Sequence, residues 1–375
     1  MFKEYSKRIF DLFPMWPNVS KICYLSSLSC PQVTARAIQP SNKYQSGLIE
    51  YQSGLMKISA KPLSSPEFGV DEDTAVAEIH AGLMQGQAEI SPKFFYDPLG
   101  SKLFEAITQL TEYYPTRTEK SIFDTHAAEI ARAVGKGATL IDLGAGNCEK
   151  ARHLFPVLLP SQYVAVDVST EFLRDALALL SRQFPDIEMQ ALGMDFSSTL
   201  ALPGSVRRGN RLFFYPGSSI GNFTPEAAMD LLGNLRQQCS GDGGLLIGVD
   251  LVKSSSILEP AYDDSLGVTA AFNLNILNHV NRLIGANFDL GDWRHMALFN
   301  ASASRIEMHL EARHEIAVSW RGGERRFRAG ERIHTENSYK YELLQFRAML
   351  VRAGFRNITA WTDERHWFAV CHAGI

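Results

Sequence analysis

Between residues 138 and 252, short apolar runs alternate with text of helical periodicity, and the first run leads into Asp142-Leu143-Gly144-Ala145-Gly146. Few folds accommodate that pattern. The runs predict strands over 138–143, 162–168, 187–194, 211–215 and 244–252. The text between them predicts helices over 148–158, 171–183 and 225–238. Strands joined through helices pair in parallel, so the expectation is an α/β, doubly wound sheet. The chain end adds a helix over 341–353 and an antiparallel hairpin from 358–362 and 367–371.

On either side the pattern changes. Upstream, 73–83 has Ala75, Ile79 and Leu83 on one helical face; a turn-rich segment over 94–101 and a short helix over 102–110 follow. The next helix runs through Ala133, with Thr116 or Thr118 as its predicted cap. Between 253 and 339 the alternation stops: a helix over 268–283 precedes strand-like text at 304–310, 314–320 and 324–327. Open sheets take ligands beyond the carboxyl ends of their strands, so an insertion here is expected to cap that edge and bind substrate.

The chain has 375 residues, enough for two structural units. Its formal net charge of −4 argues against nucleic acid as the main partner. No run reaches the roughly 18 apolar residues of a membrane span. Cys23, Cys30, Cys148, Cys239 and Cys371 are scattered and match no common zinc spacing, so the reading is a reducing, cytoplasmic protein without metal, and a monomer. Residues 1–70 read as a disordered or variable extension, with a short repeat at 44–48 and 51–55 and an alternative start at Met56.

The glycine segment narrows the ligand. Gly144 and Gly146 allow a sharp strand-to-helix turn, but a dinucleotide loop would place a third glycine where Glu149 stands. A carboxylate at a helix start opposes a pyrophosphate and not a cationic sulfonium, so the segment favours S-adenosylmethionine over NAD. The second strand ends in Asp167, placed to accept ribose hydroxyls. The third ends in Asp195-Phe196, an acceptor for an adenine amino group and a ring to flank it. Lys150 is either a solvated first-turn lysine or a partner for the methionyl carboxylate, and Cys148 reads as a buried filler.

A longer set of motifs carries a resemblance. Tyr96-Asp97-Pro98-Leu99-Gly100-Ser101, Glu112-Tyr113-Tyr114-Pro115-Thr116-Arg117, the glycine segment, Tyr215-Pro216-Gly217-Ser218-Ser219-Ile220-Gly221-Asn222, Ala261-Tyr262-Asp263-Asp264 and Thr335-Glu336-Asn337-Ser338 occur in that order. From about residue 75 onward the chain resembles the L-histidine Nα-methyltransferases of ergothioneine biosynthesis, which make hercynine. The resemblance implies a Rossmann-like class I methyltransferase domain over 119–252 plus 341–375. It implies an α+β substrate-binding domain over 71–118 plus 253–340. It also implies that Tyr113, Gly144, Lys150, Asp167, Asp195 and Phe196 contact S-adenosyl-L-methionine. Asn222 and Tyr262 would hold the substrate carboxylate, Glu336 and Ser338 the imidazole, and Tyr96 would face the amine as the catalytic group.

Chemistry is consistent with those roles. Methyl transfer needs a neutral amine lone pair, positioning and no metal. A carboxylate is met by neutral donors, and an imidazole by one acceptor and one donor. The alternatives are a same-family enzyme for another free amino acid such as tyrosine, a non-catalytic S-adenosylmethionine-binding protein, and an NAD-dependent oxidoreductase.

Overall fold

The computed structural model describes residues 72–196, 200–239 and 243–375; the N-terminal extension, with its repeat, Cys23, Cys30 and Met56, lies outside the described residues. Helix α1 (Glu72–Leu83) leads to a two-residue strand, β1 (Ala88–Glu89). Helix α2 (Pro98–Ile107) starts earlier than its apolar spacing suggested, because Asp97 caps it: its Oδ1 accepts from Gly100 N at 2.7 Å, with Pro98 in the first turn. The same carboxylate accepts from Asn275 Nδ2 at 2.8 Å and pairs with Arg282, tying this turn to a distant helix.

Helix α3 (Tyr114–Val134) corrects the predicted cap. It begins at Tyr114 with Pro115 in the first turn, so Thr116 and Thr118 lie inside it. Then β2 (Thr139–Leu143), α4 (Glu149–Leu158), β3 (Gln162–Asp167), α5 (Thr170–Gln183), β4 (Glu188–Gly193), β5 (Arg211–Tyr215), α6 (Pro225–Gln238) and β6 (Gly244–Asp250) follow the expected alternation. After a short helix α7 (Ser255–Leu258) comes α8 (Val268–Ile284), followed by β7 (Trp293–Asn300), β8 (Arg305–Ala312), β9 (Ile316–Trp320), β10 (Gly323–Phe327) and β11 (Arg332–Tyr339). The chain closes with α9 (Leu343–Arg352), β12 (Arg356–Thr362) and β13 (Phe368–Gly374). Strands β7 and β11 were not anticipated. Charged and polar residues interrupt both, and their pairing in the sheet decides what propensity does not.

Two sheets organise the described residues. The larger has seven strands in the order β12-β13-β6-β5-β2-β3-β4. Strands β4, β3, β2, β5 and β6 are parallel, and β13 runs antiparallel to both β6 and β12. This is the doubly wound class I methyltransferase topology, with a reversal of strand order between β2 and β5. Every residue of β2, β5 and β6 is buried, as expected of strands covered on both faces. One face packs around Ile141, Val164 and Phe213, the other around Leu140, Phe155 and Phe214.

The smaller sheet has the order β1-β11-β8-β7, and β9 and β10 form a separate hairpin. Its core gathers Ile79 and Phe95 from the first part of the chain with Phe272, Ile276, Met308, Leu310 and Ile333 from the insertion. Residues far apart in sequence thus share one apolar core. No described helix is long and apolar enough to cross a membrane.

Candidate active site

At the carboxyl end of β2 the chain turns through Gly144 (φ 70°) and Gly146 (φ 52°) into α4. Only glycine adopts that backbone at little cost, and no heavy atom lies within 4 Å of where a Cβ would stand at either position. The inner side of the loop is therefore open. Asp167, at the end of β3, stands beside it: Oδ2 accepts from Gly146 N at 2.9 Å and Oδ1 from Ser169 N at 2.9 Å. At the end of β4, Asp195 lies 3.5 Å from Lys93 Nζ, which also pairs with Glu78 at 2.5 Å. Phe196 packs edge-on to Tyr215 with ring centroids 5.6 Å apart. Open glycine backbone, a carboxylate at the neighbouring strand end and an aromatic ring fit the ribose and adenine of S-adenosylmethionine.

Lys150 is not merely a solvated lysine. Its Nζ pairs at 2.7 Å with Glu119, a carboxylate that is 1% exposed on α3. The other oxygen of Glu119 accepts from Gly217 N at 2.8 Å, so one buried acid joins α4 to the loop after β5. Cys148 is buried as expected, and burial pushes its thiol up to about 12, which leaves it inert.

A second group of expected residues converges beyond that loop. Tyr96, Phe104, Tyr113, Asn222, Phe272, Tyr262, Met308, Glu336 and Ser338 line one cavity. They come from α2 and the turn before it, the residue that precedes α3, the loop after β5, α8 and the segment before it, and β8 and β11. Asn222 is brought there by a close approach: a Cβ on Gly221 would stand 2.8 Å from Tyr339 O on β11, so only glycine lets this loop lie against that strand. The pairing of β11 with β8 skips a residue between His334 and Glu336, a bulge that re-aims the strand where Glu336 begins. Tyr113, expected among the cofactor contacts, stands in this cavity, its ring 6.2 Å from that of Tyr262.

The electrostatics follow from burial. Loss of water pushes the Glu336 carboxyl up to about 7, with the Lys340 ammonium opposing. Burial first, and the Glu336 charge among others, hold the Tyr96 and Tyr113 phenols well above their usual range, so both stay protonated. His295 is lowered by burial and stays neutral. Its Nε2 donates to Tyr262 O at 2.8 Å, and Nδ1 accepts from Asn273 Nδ2 at 2.8 Å. This buried histidine therefore fixes the backbone that presents Tyr262.

Other residues behind the cavity were not anticipated. Lys340 Nζ donates to Tyr262 Oη and Ser338 Oγ, both at 2.8 Å, and pairs with Asp250 Oδ2 at 2.8 Å. Asp250 also pairs with Lys253 at 2.5 Å and accepts from Tyr114 Oη at 2.6 Å. Burial opposes its ionisation, yet the two ammoniums hold the Asp250 carboxyl below its usual range. The missing signal was β11: once it is a strand, Glu336 and Ser338 fall on one face at alternate positions, and Lys340, the residue after it, continues that spacing. A separate hollow near Asn210, Gly243 and His372 lies at the amino ends of the parallel strands, the wrong edge for a ligand of this fold.

The family described as histidine-specific methyltransferase, SAM-dependent, matches residues 75–374. Histidine N-alpha-methyltransferase of Mycolicibacterium smegmatis is 42% identical over 292 residues, spanning 76% of this chain and 90% of that protein. Its counterpart of the same name in Mycobacterium tuberculosis is 39% identical, spanning 76% and 90%. Ergothioneine biosynthesis protein 1 of Neurospora crassa is 30% identical over 74% of this chain and 32% of that longer protein. The extent of the family match, over a fold and a cavity of this kind, identifies the chain as a member of the histidine-specific, S-adenosylmethionine-dependent methyltransferases.

Proposed function

We propose that this enzyme methylates the α-amino group of L-histidine three times to give hercynine, with S-adenosylmethionine as donor. The observation that carries the reading is the placement of Glu336 and Ser338 on one face of β11, in the same cavity as Asn222 and Tyr262. That cavity pairs an acid with a hydroxyl where an imidazole needs an acceptor and a donor, and amide and phenol donors where a carboxylate needs them. A phenyl side chain would leave the Glu336 carboxyl without a partner, a costly exchange in a buried site.

In this reading the lobe built on the smaller sheet holds the amino acid, and the seven-stranded lobe holds the donor. Bound S-adenosylmethionine supplies an electrophilic methyl group on a sulfonium. Asp167 holds the ribose, Gly144 approaches as bare backbone, and Lys150, steadied by Glu119, meets the methionyl carboxylate. Asp195 and Phe196 hold the adenine, and Tyr113 closes the donor side of the cavity. Asn222 and Tyr262 orient the carboxylate while Glu336 and Ser338 orient the ring, which fixes the amine between them. Tyr96, whose phenol stays protonated, serves the amine as a hydrogen-bond partner and not as a phenolate base. The hydroxyl of Ser169 donates to the Tyr96 carbonyl at 3.1 Å and ties this residue to the end of β3. A trimethylated nitrogen has no lone pair, so transfer ends there. Buried, unpaired Cys148, Cys239 and Cys371 are consistent with work in a reducing cytoplasm.

The test is incubation of purified protein with S-adenosylmethionine and each free amino acid, followed by mass spectrometry. The expected product is histidine heavier by three methylene units. Methylation of a different amino acid with none of histidine would overturn the substrate and keep the reaction.

A further inference from the structure

Lys340 is three donors and no acceptor, and all three of its N–H groups are spent. Its side chain is fully buried and reaches Tyr262 Oη, Ser338 Oγ and Asp250 Oδ2, each at 2.8 Å. Both hydroxyl oxygens must therefore accept from the ammonium. They also lie 2.7 Å from each other, so one of the two hydroxyl hydrogens bridges the pair and the other is left to face the cavity. Whichever way the bridge runs, the ammonium takes two of the pair's four lone pairs and the bridge a third, so the pair offers one hydrogen outward and a single remaining lone pair. Behind it, Asp250 sits between two lysines, Lys340 and Lys253, and the Lys340 ammonium, in direct contact with both hydroxyls, is the charge nearest to them. That charge favours an anion in front of the hydroxyls.

We propose that Lys340 is a positioning residue that commits the Tyr262 and Ser338 hydroxyls to donating, and so selects an amino acid with a free carboxylate and a neutral ring nitrogen. The role rests on reading the cavity as an amino-acid site. A protonated amine or imidazolium placed against this pair would meet hydrogens and a cation. A carboxylate or an unprotonated ring nitrogen trades the mutual Tyr262–Ser338 bond for bonds of its own. Removing the ammonium frees each hydroxyl to rotate and accept, and the donor geometry is lost.

The experiment compares K340M with the wild-type enzyme using histidine and histidinamide, whose carboxylate is replaced by a neutral amide. Asp250 keeps Lys253 and Tyr114 in K340M, so no buried carboxylate is left unpaired. The expected result is a KM for histidine raised about tenfold, with KM for S-adenosylmethionine within about twofold. The preference for histidine over histidinamide should fall by about the same factor. Adding K340M to the Tyr262→Phe, Ser338→Ala double variant should cost less than about threefold more, because the lysine acts through those hydroxyls. A histidine KM and amide discrimination like the wild type's, or losses that multiply fully with the double variant, would overturn the role. Should K340M also lose S-adenosylhomocysteine binding, K340Q decides, since its amide still donates to a hydroxyl. A histidine KM within about threefold of wild type supports the role, and a loss matching the double variant refutes it. Failure of the wild-type protein to methylate histidine while methylating another amino acid would overturn the substrate alone, and Lys340 is then tested with that amino acid.

Discussion

Glu336→Gln should weaken histidine binding and stabilise the protein, two effects of opposite sign from one carboxyl. Burial raises the native Glu336 carboxyl from its ordinary 4.5 to about 7. The sign follows from proton linkage. The native state holds this proton more tightly than the unfolded chain, so the stabilisation is complete below the ordinary carboxyl range and is lost as pH rises towards 7. Above that, the ionised carboxylate costs the folded state about 3 kcal/mol, at about 1.4 kcal/mol for each tenfold change in proton affinity. Glutamine has the same shape and no charge. E336Q should therefore melt close to wild type at pH 4.5 and roughly 5 °C higher at pH 8. At the same time it loses a charge-assisted hydrogen bond to the imidazole N–H, a loss of about 1.5–3 kcal/mol and thus a KM for histidine raised about 10- to 150-fold. Thermal unfolding across pH and initial-rate kinetics with each substrate varied measure both. A melting difference that does not grow with pH, or equal rises in KM for histidine and S-adenosylmethionine, would refute the reasoning.

Three further substitutions separate the parts of the site. Asp167→Asn should raise the dissociation constant for S-adenosylhomocysteine about tenfold, measured by calorimetry, and leave the histidine KM nearly unchanged. Tyr96→Phe should lower kcat about tenfold with little change in either KM, since a hydrogen-bond partner of the reacting amine acts on the transfer step; an unchanged kcat would remove Tyr96 from the reaction. Gly221→Ala drives a Cβ to 2.8 Å from Tyr339 O, so the loop after β5 must move off β11. It should cost about 1–3 kcal/mol of stability in denaturant unfolding and raise the histidine KM, because Asn222 moves with the loop.

What the sequence determined by itself is the part governed by local period and by backbone demands. Parallel strands buried on both faces read as continuous apolar runs, and so β2, β3, β5 and β6 were legible to within a residue or two at each end. The glycine turn was legible because Gly144 and Gly146 hold backbone angles that other residues avoid. The ordered motifs also named Tyr96, Tyr113, Asn222, Tyr262, Glu336 and Ser338, which line the cavity, but not its apolar lining of Phe272 and Met308. Tertiary structure decided the rest. Strand β11 is polar from His334 to Ser338 and so shows no apolar alternation, and pairing with β8 and β1 makes it a strand. With it came the bulge before Glu336, the common face of Glu336 and Ser338, and the reach of Lys340, just past the strand, to Ser338. Lys340 and Asp250, 90 residues apart, and Glu119 and Gly217, 98 apart, meet only in the folded chain. A lone buried lysine or glutamate carries no periodic signal; its partner is chosen by the packing, because a charge is tolerated inside only where the fold brings its counter-charge.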